Sequence, residues 1–401
     1  MSAVDEREDK GDAGNTQGDG EVRSWYFFAG GGTGGHIYPA IAIAEQIRLT
    51  EPEAGILFFC SERSIDSQVL TGSGFEFVRL PGSGFSIRPD KAFSFVKALV
   101  RGYETAKKKI RSLVDPGDGT GRASSVMVGI GGFASVAGVL AAGRVGVPVA
   151  MVNVDIVPGR ANRFLGRFAE KIFVQFPDTA EHFGKMAEKV IVSGCPLRAG
   201  FGDCNGWWVI EELGLDAEKK TLVVTGASSG SANINRALTK VLGEPGAVAE
   251  AWQIVHLTGS VANTRRQLAE CGECGIAYHP VDYFEDMAGL YAIADLVVGR
   301  SGAVSVAEYA ASGTPAICLP YPWHKDRHQY LNAQKLVDAG AAVIVEDKAE
   351  DIEATAAELD RVLKELTADE NRRAKMSEAA RGFGNVAAGR DIAERLRYLR
   401  Q

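Results

Sequence analysis

The sequence predicts an α/β protein made of two tandem, doubly wound domains that face each other across a cleft. Three observations predict it. The 401 residues exceed what one hydrophobic core organises. Short apolar runs alternate with amphipathic segments along most of the chain, which is the pattern of βαβ units around parallel sheets. A strand, a glycine turn and a helix occur in that order at residues 26–47, and the same order recurs at 220–242.

Taken in order, residues 1–24 are polar, Gly-rich and acidic, with no apolar segment of the secretory kind, and read as a disordered acidic tail. "WYFFAG" (25–30) is the first strand, and Ile37, Ile41, Ala44 and Ile47 keep helical spacing after it. "GILFFCS" (55–61) and "FEFVRLP" (75–81) are strands, followed by a long helix over 90–114. "SVMVGIGG" (125–132) runs into a second glycine turn and a helix from about Ala134. Further strands are "PVAMVNVD" (148–155), "KIFVQF" (171–176) and "KVIVSG" (189–194). The second set opens with "KTLVVTGASSGSANINRALTKVL" (220–242). It continues through the strands "WQIVHLTG", "IAYHPV", "DLVVGR", "PAICLPY" and "AAVIVED". Residues 195–208 have little periodicity, so the boundary falls there: a first domain over 25–198, a second over 199–390, and a basic helix over 391–401 able to pack on either.

Composition narrows the function. A net charge of −7 disfavours nucleic acid as a bulk partner, and no apolar run is long enough to span a bilayer. Six cysteines without a paired framework suit a reducing compartment. Cys271 and Cys274 have redox or metal spacing, but a lone CxxC without a second pair or histidines is weak evidence and reads as two thiols in a surface turn.

Three glycine turns join a strand to a helix: "GGGTGGH" (30–36), "GIGGFAS" (129–135) and "TGASSGSAN" (225–233). Such turns bring backbone amides and a helix N-terminus close to an anion. The first contains G-x-G-x-x-G (Gly30, Gly32, Gly35), but no acidic residue follows at the distance a dinucleotide ribose needs. No G-x-x-x-x-G-K-[ST] loop occurs. The densest polar constellation spans 299–336. There Ser301, Gly302 and Ala303 start a helix fit to meet a phosphate, and Glu308 sits where a carboxylate can accept from both ribose hydroxyls. Asp326, His328 and Gln329 follow in "HKDRHQYLNA". At a domain cleft these residues point to a nucleotide-sugar pocket, although each alone could be an ordinary loop or helix polar.

With these motifs in order ("GGGTGGHIYPAIAIAEQI", "GIGGFAS", "GCPLR", "GASSGSANIN", "GRSGAVSVAEYAASGTPAICLPY" and "HKDRHQYLNA"), the chain resembles the MurG family from about residue 25 to 350. These are inverting N-acetylglucosaminyltransferases of peptidoglycan synthesis with the GT-B fold, two Rossmann-like domains. The resemblance implies transfer of N-acetylglucosamine from UDP-GlcNAc to an undecaprenyl-diphosphate-linked N-acetylmuramoyl peptide, on the cytoplasmic face of a membrane. It implies no required cofactor, with Mg²⁺ able to assist. Position by position, Thr33, Gly34 and Gly35 match the first glycine loop, Arg198 an arginine near the donor diphosphate, and Ser228 a diphosphate contact. Phe284 matches a residue flanking the uracil. Ala303, Val304, Ser305, Val306, Ala307 and Glu308 match the phosphate- and ribose-binding segment, and Gln329 a sugar-hydroxyl contact.

The sequence departs from the family pattern in two places. Val152, Asn153, Val154 and Asp155 stand where the family has His-Glu-Gln-Asn, while Gly159 and Asn162 of the downstream pattern remain. His328 replaces the first of two glutamines. Asp155 keeps acceptor oxygens, loses an amide donor and adds charge. Both departures fall in the sugar and acceptor region, so a related transferase using another UDP-sugar or acceptor, a UDP-sugar epimerase of the same fold and a non-catalytic nucleotide-sugar sensor stay open. His36, in the first turn of a helix facing the cleft, is a candidate general base or acceptor-orienting group. Alternatively it caps the turn or binds the acceptor diphosphate, and Asp155 is the rival base. The helix near 85–111 combines Phe93, Val96, Leu99, Val100 and Tyr103 with Lys91, Lys97, Arg101, Lys107, Lys108, Lys109 and Arg111. It suits either contact with an anionic membrane surface or ordinary core packing with a solvated basic end.

Overall fold

The computed structural model describes residues 24–32, 34–82, 89–117, 121–227, 230–243, 250–260, 262, 264 and 276–400. Residues 1–23, Thr33, Ser228, Cys271 and Cys274 lie outside them.

The first sheet has seven parallel strands in the order β3-β2-β1-β4-β5-β6-β7. They are β1 (Ser24–Gly30), β2 (Gly55–Ser61), β3 (Glu76–Leu80), β4 (Ser124–Gly131), β5 (Val149–Asn153), β6 (Lys171–Val174) and β7 (Val190–Val192). Its central strands are apolar throughout because helices cover both faces. In β1, Tyr26 and Phe28 enter one core while Phe27 and Ala29 enter the other, the two-residue alternation of a strand. Phe28 stacks on Phe58 of β2 at 4.9 Å. Helices α1 (Gly34–Thr50) and α2 (Ser64–Ser73) lie on the Tyr26 side. On the other side are α3 (Pro89–Val114) and α4 (Gly132–Val145).

The second sheet has six parallel strands, ordered β10-β9-β8-β11-β12-β13. These are β8 (Lys220–Thr225), β9 (Trp252–Leu257), β10 (Ala277–Val281), β11 (Leu296–Gly299), β12 (Ala316–Cys318) and β13 (Ala342–Ile344). In both sheets strand order reverses beside the first strand, β1 or β8. The loops leaving the carboxyl ends of the strands there form a crevice for ligand.

The chain returns to the first sheet at its end. Helix Ala388–Leu399 buries Ile392, Ala393 and Leu396 against Ile37, Ile41 and Ala44 of α1. Arg400 donates to the Tyr26 hydroxyl at 3.0 Å and pairs with Glu51. Asn385 donates to the Ser193 carbonyl at 2.8 Å, so a second crossing of the chain lies beside the end of β7.

Candidate active site

The wall formed by the first domain begins at the turn between β1 and α1. His36 lies in the first turn of α1, above Gly131 at the end of β4. Gly131 has φ +104°, and a Cβ there would stand 3.1 Å from the His36 ring and 3.2 Å from Asn162 Oδ1. The left-handed backbone favours glycine there, and a Cβ would crowd both side chains. Burial pushes the His36 pKa below its ordinary value, while the charges of Asp155 and Asp66 pull it back up. The neutral ring is thus the resting form, and it is able to accept a proton.

Behind His36, the loop after β5 is tied down by asparagines. Asn162 Nδ2 donates to Asn153 Oδ1 at 2.9 Å, and Asn153 Nδ2 donates to the Asp155 carbonyl at 2.6 Å. Asn332 crosses from the second domain. Its Nδ2 donates to Asp155 Oδ1 at 3.0 Å, and its Oδ1 accepts from the Ile156 amide at 3.1 Å. The Asp155 carboxylate is therefore aimed by a fully buried side chain of the opposite domain.

The opposing wall is α9 (Ala303–Ser312). It follows α5 (Arg160–Leu165), α6 (Trp207–Leu213), α7 (Ala232–Leu242) and α8 (Met287–Ala292) in the chain. Gly302 caps α9 without a side-chain bond, which leaves the amides of its first turn for a ligand. Glu308, one and a half turns in, is buried. Burial pushes its pKa up to about 7 against the pull of Arg198. Arg198 sits 4.3 Å over the Tyr38 ring and donates to the Glu285 carbonyl at 3.3 Å. The Tyr38 and Tyr283 hydroxyls meet at 3.4 Å across the domains.

The third glycine turn is braced from below. Arg300, buried at the end of β11, donates to Ser231 Oγ (2.7 Å) and to the Leu319 and Pro320 carbonyls (2.9 and 3.2 Å). It pairs with fully buried Asp347 at 2.8 Å, and Asn233 donates to the other oxygen of Asp347 at 2.9 Å. Ala227, in the same turn, has φ +64°, a strained value for a residue with a Cβ and one of only two such non-glycine positions among the described residues. The other is Arg327 (φ +50°), just before α10 (His328–Asp338). There His328 Nδ1 bonds Asp326 Oδ1 at 2.7 Å and the ring stacks on His324 at 4.1 Å. Desolvation opposes ionisation of Asp326, but the bond to His328 and its charge win, and the carboxyl is held below its usual range. Gln329 accepts from the Tyr321 amide at 2.9 Å, which fixes its side chain.

Between these walls lies a cavity of about 650 Å³. It brings together His36, Gly35, Asp155, Arg198, Phe284, Ala303, Val304, Ser305, Glu308 and Gln329 from the sequence-derived set, along with His328. Gly34 is the first residue of α1. Val306 and Ala307 turn away from the cavity into the cores, because helical periodicity puts them on the far side of α9 from Ser305 and Glu308. Sequence reasoning missed Asp66, Arg300 and Asn332. Asn332 had a signal, since it lies one helical turn after His328 and so on the same face. Asp66 and Arg300 had none.

Two parallel sheets facing each other across a cavity, with a phosphate-ready helix terminus and a buried carboxylate on one wall, have the two-domain GT-B architecture. Residues 26–174 match the glycosyltransferase family 28 N-terminal domain, and residues 221–396 match the C-terminal domain of that family. The chain is 36% identical over 373 residues to the UDP-N-acetylglucosamine--N-acetylmuramyl-(pentapeptide) pyrophosphoryl-undecaprenol N-acetylglucosamine transferase of Nitratidesulfovibrio vulgaris (strain DSM 19637 / Miyazaki F), covering 91% of this chain and 94% of that one. It is 33% identical over 366 residues to the enzyme of the same name from Desulfitobacterium hafniense (strain Y51), covering 90% and 95%. Among solved structures, Acinetobacter baumannii MurG superposes with a TM-score of 0.68 at 22% identity, over 94% of this chain and 99% of that one. A UDP-GlcNAc 2-epimerase from Neisseria meningitidis bound to UDP-GlcNAc gives 0.65 at 13% identity, over 94% and 100%, a likeness of fold. The chain belongs to glycosyltransferase family 28, within the MurG family.

Proposed function

We propose that the chain transfers N-acetylglucosamine, with inversion, from UDP-GlcNAc to an undecaprenyl-diphosphate-linked N-acetylmuramoyl peptide. The observation that carries the reading is the division of labour across one cavity. The second-domain wall, with Arg198 at the domain boundary, has the groups suited to a nucleoside diphosphate, and the first-domain wall has a neutral imidazole and a carboxylate. The amides at the start of α9 and the Arg198 guanidinium stabilise the departing diphosphate. Glu308 accepts from the ribose hydroxyls, Phe284 flanks the base, and Gln329 contacts the sugar. The acceptor hydroxyl attacks the anomeric carbon from the first-domain side while its proton passes to His36 and the bond to UDP breaks. Asp155, held by Asn332, orients the incoming group or the donor sugar. Transfer of radiolabel from UDP-GlcNAc, UDP-GalNAc and UDP-glucose to the lipid acceptor tests the assignment. Selective transfer from UDP-GlcNAc is expected, and binding of UDP without transfer from any donor would favour a sensor instead.

Donor binding should depend on pH through Glu308. The ionised carboxylate is the form that accepts two hydroxyls, so a bound ribose lowers a pKa that is about 7 in the free protein. As pH falls below about 7, UDP-GlcNAc affinity should drop, by up to about tenfold per unit, until the bound-state pKa is reached. The diphosphate diester does not itself titrate there. Calorimetry should find this slope in the wild type and a weaker, flat profile in Glu308→Gln. A flat wild-type profile would contradict the role.

We further propose that α3 docks on an anionic membrane. Phe93, Val96 and Val100 form one stripe and are 74%, 54% and 55% exposed, while Leu99 and Tyr103 pack inward on the core. Core packing therefore accounts for only part of the apolar residues of this helix. Lys97, Arg101, Lys108 and Lys109 supply the charge. No helix among the described residues is long and apolar enough to cross a membrane. Co-sedimentation with anionic vesicles at low salt should be strong and should fall in a Phe93→Ser/Val96→Ser/Val100→Ser variant. Equal sedimentation of the two proteins would remove α3 from the contact.

A further inference from the structure

We propose that Asp66, which does not reach the cavity, is the residue that positions His36 and supplies the fixed negative charge behind it. Asp66 lies in the first turn of α2 and is fully buried. Its two oxygens accept from the Gly32 amide at 2.9 and 2.8 Å. One of them also accepts from the amide of Ser61 at 3.2 Å and from the Ser61 hydroxyl. The glycine loop is wrapped onto this carboxylate. Gly31 has φ +136°, and a Cβ there would stand 2.3 Å from Asp66 Oδ2. Arg63 closes the other side, donating to the Gly32 carbonyl at 2.6 Å. The loop so fixed carries Gly31, whose backbone hydrogen-bonds the His36 ring. One path of contacts therefore runs from Asp66 through Gly32 and Gly31 to His36.

This changes the meaning of the first glycine turn. The amide of Gly32 is already donated to a carboxylate of the protein, so at that residue the turn is filled by Asp66 rather than presented to a ligand anion. A buried carboxylate is costly unless its oxygens are hydrogen-bonded, and a loop needing only an acceptor could be held by an uncharged amide. A retained charge has a further effect, because it raises the proton affinity of an imidazole that burial alone would depress. The groups facing His36 are Asp66 on α2, Asp155 after β5, His328 on α10, Asn162 on α5, and the backbone of Gly31 and Gly131. Asp155 and His328 line the cavity and change their surroundings when substrate binds. Asp66 does not, and so sets a constant bias.

The inference rests on the reading of His36 as proton acceptor, and its test separates the two. Asp66→Asn, Asp66→Glu and wild type are compared by NMR titration of the His36 imidazole and by the pH dependence of kcat/KM. Thermal unfolding of the whole chain, together with UDP affinity, serves as the folding control. In Asp66→Asn the His36 titration should move to lower pH by about half a unit or more. The acid limb of kcat/KM should follow, with a loss on the order of tenfold at neutral pH and little change in donor KM. Asp66→Glu, which keeps the charge, should restore the His36 titration toward wild type. An unmoved His36 titration in a folded, UDP-binding Asp66→Asn protein would overturn the proposal. A titration that moves without its acid limb would uphold Asp66 and remove His36 as the proton acceptor.

Discussion

Replacing His36 by alanine is expected to lower turnover by about 10²-fold or more while leaving UDP-GlcNAc affinity within about twofold of wild type. In the proposed mechanism this ring, neutral because burial lowers its pKa and packed over Gly131, takes the acceptor's proton. The groups proposed to bind the donor, Glu308, Phe284 and the start of α9, belong to the other domain, so the variant separates chemistry from donor binding. Steady-state kinetics with the lipid acceptor, together with calorimetry of UDP-GlcNAc, measures both. Unchanged turnover in a folded variant would shift the proton-accepting role to Asp155. In that case Asp155→Asn, which restores the family's amide, should carry the loss instead.

The second large effect is on stability. Arg300→Ala should destabilise the protein by about 3–5 kcal/mol, because it leaves the fully buried Asp347 charge without its partner. The same change removes the donors to Ser231 Oγ and to the Leu319 and Pro320 carbonyls, which hold two cavity loops in register. Arg300→Ala/Asp347→Ala should be less destabilised than Arg300→Ala alone, since the stranded charge is gone. Equilibrium urea unfolding reads both. A loss under about 1 kcal/mol for the single variant would mean that water or a neighbouring group replaces the guanidinium.

The two sheets were legible because a strand buried on both faces needs a continuous apolar run, and such runs between glycine turns stand out in this chain. Part of the second-domain wall was legible for a local reason: Gly302, Ala303 and Glu308 lie on or beside one helix start, so their spacing alone brings them to the cavity. Ser301, expected beside them, is fully buried and off the cavity wall. What stayed hidden depends on contacts between residues far apart in the chain. Asp155 meets Asn332 across 177 residues, Arg300 meets Ser231 across 69, and Gly32 meets Asp66 across 34. No local periodicity encodes these pairs. The final helix is similar, since its apolar face fits either domain in the sequence, and only its packing on α1 and the pairing of Arg400 with Glu51 and Tyr26 show which one it joins. On α3, a stripe that reads as one apolar face divides between core and solvent, because the helix is wider than the surface it covers.

The most direct test of the central claim is the configuration of the product. Purified protein, UDP-GlcNAc and the undecaprenyl-diphosphate-linked muramoyl peptide are incubated, and the new anomeric centre is examined by NMR. Attack from the first-domain wall on an α-linked donor held by the second predicts a β-linked N-acetylglucosamine on the acceptor and free UDP. An α-linkage, release of free N-acetylglucosamine without transfer, or epimerised UDP-sugar would contradict the account.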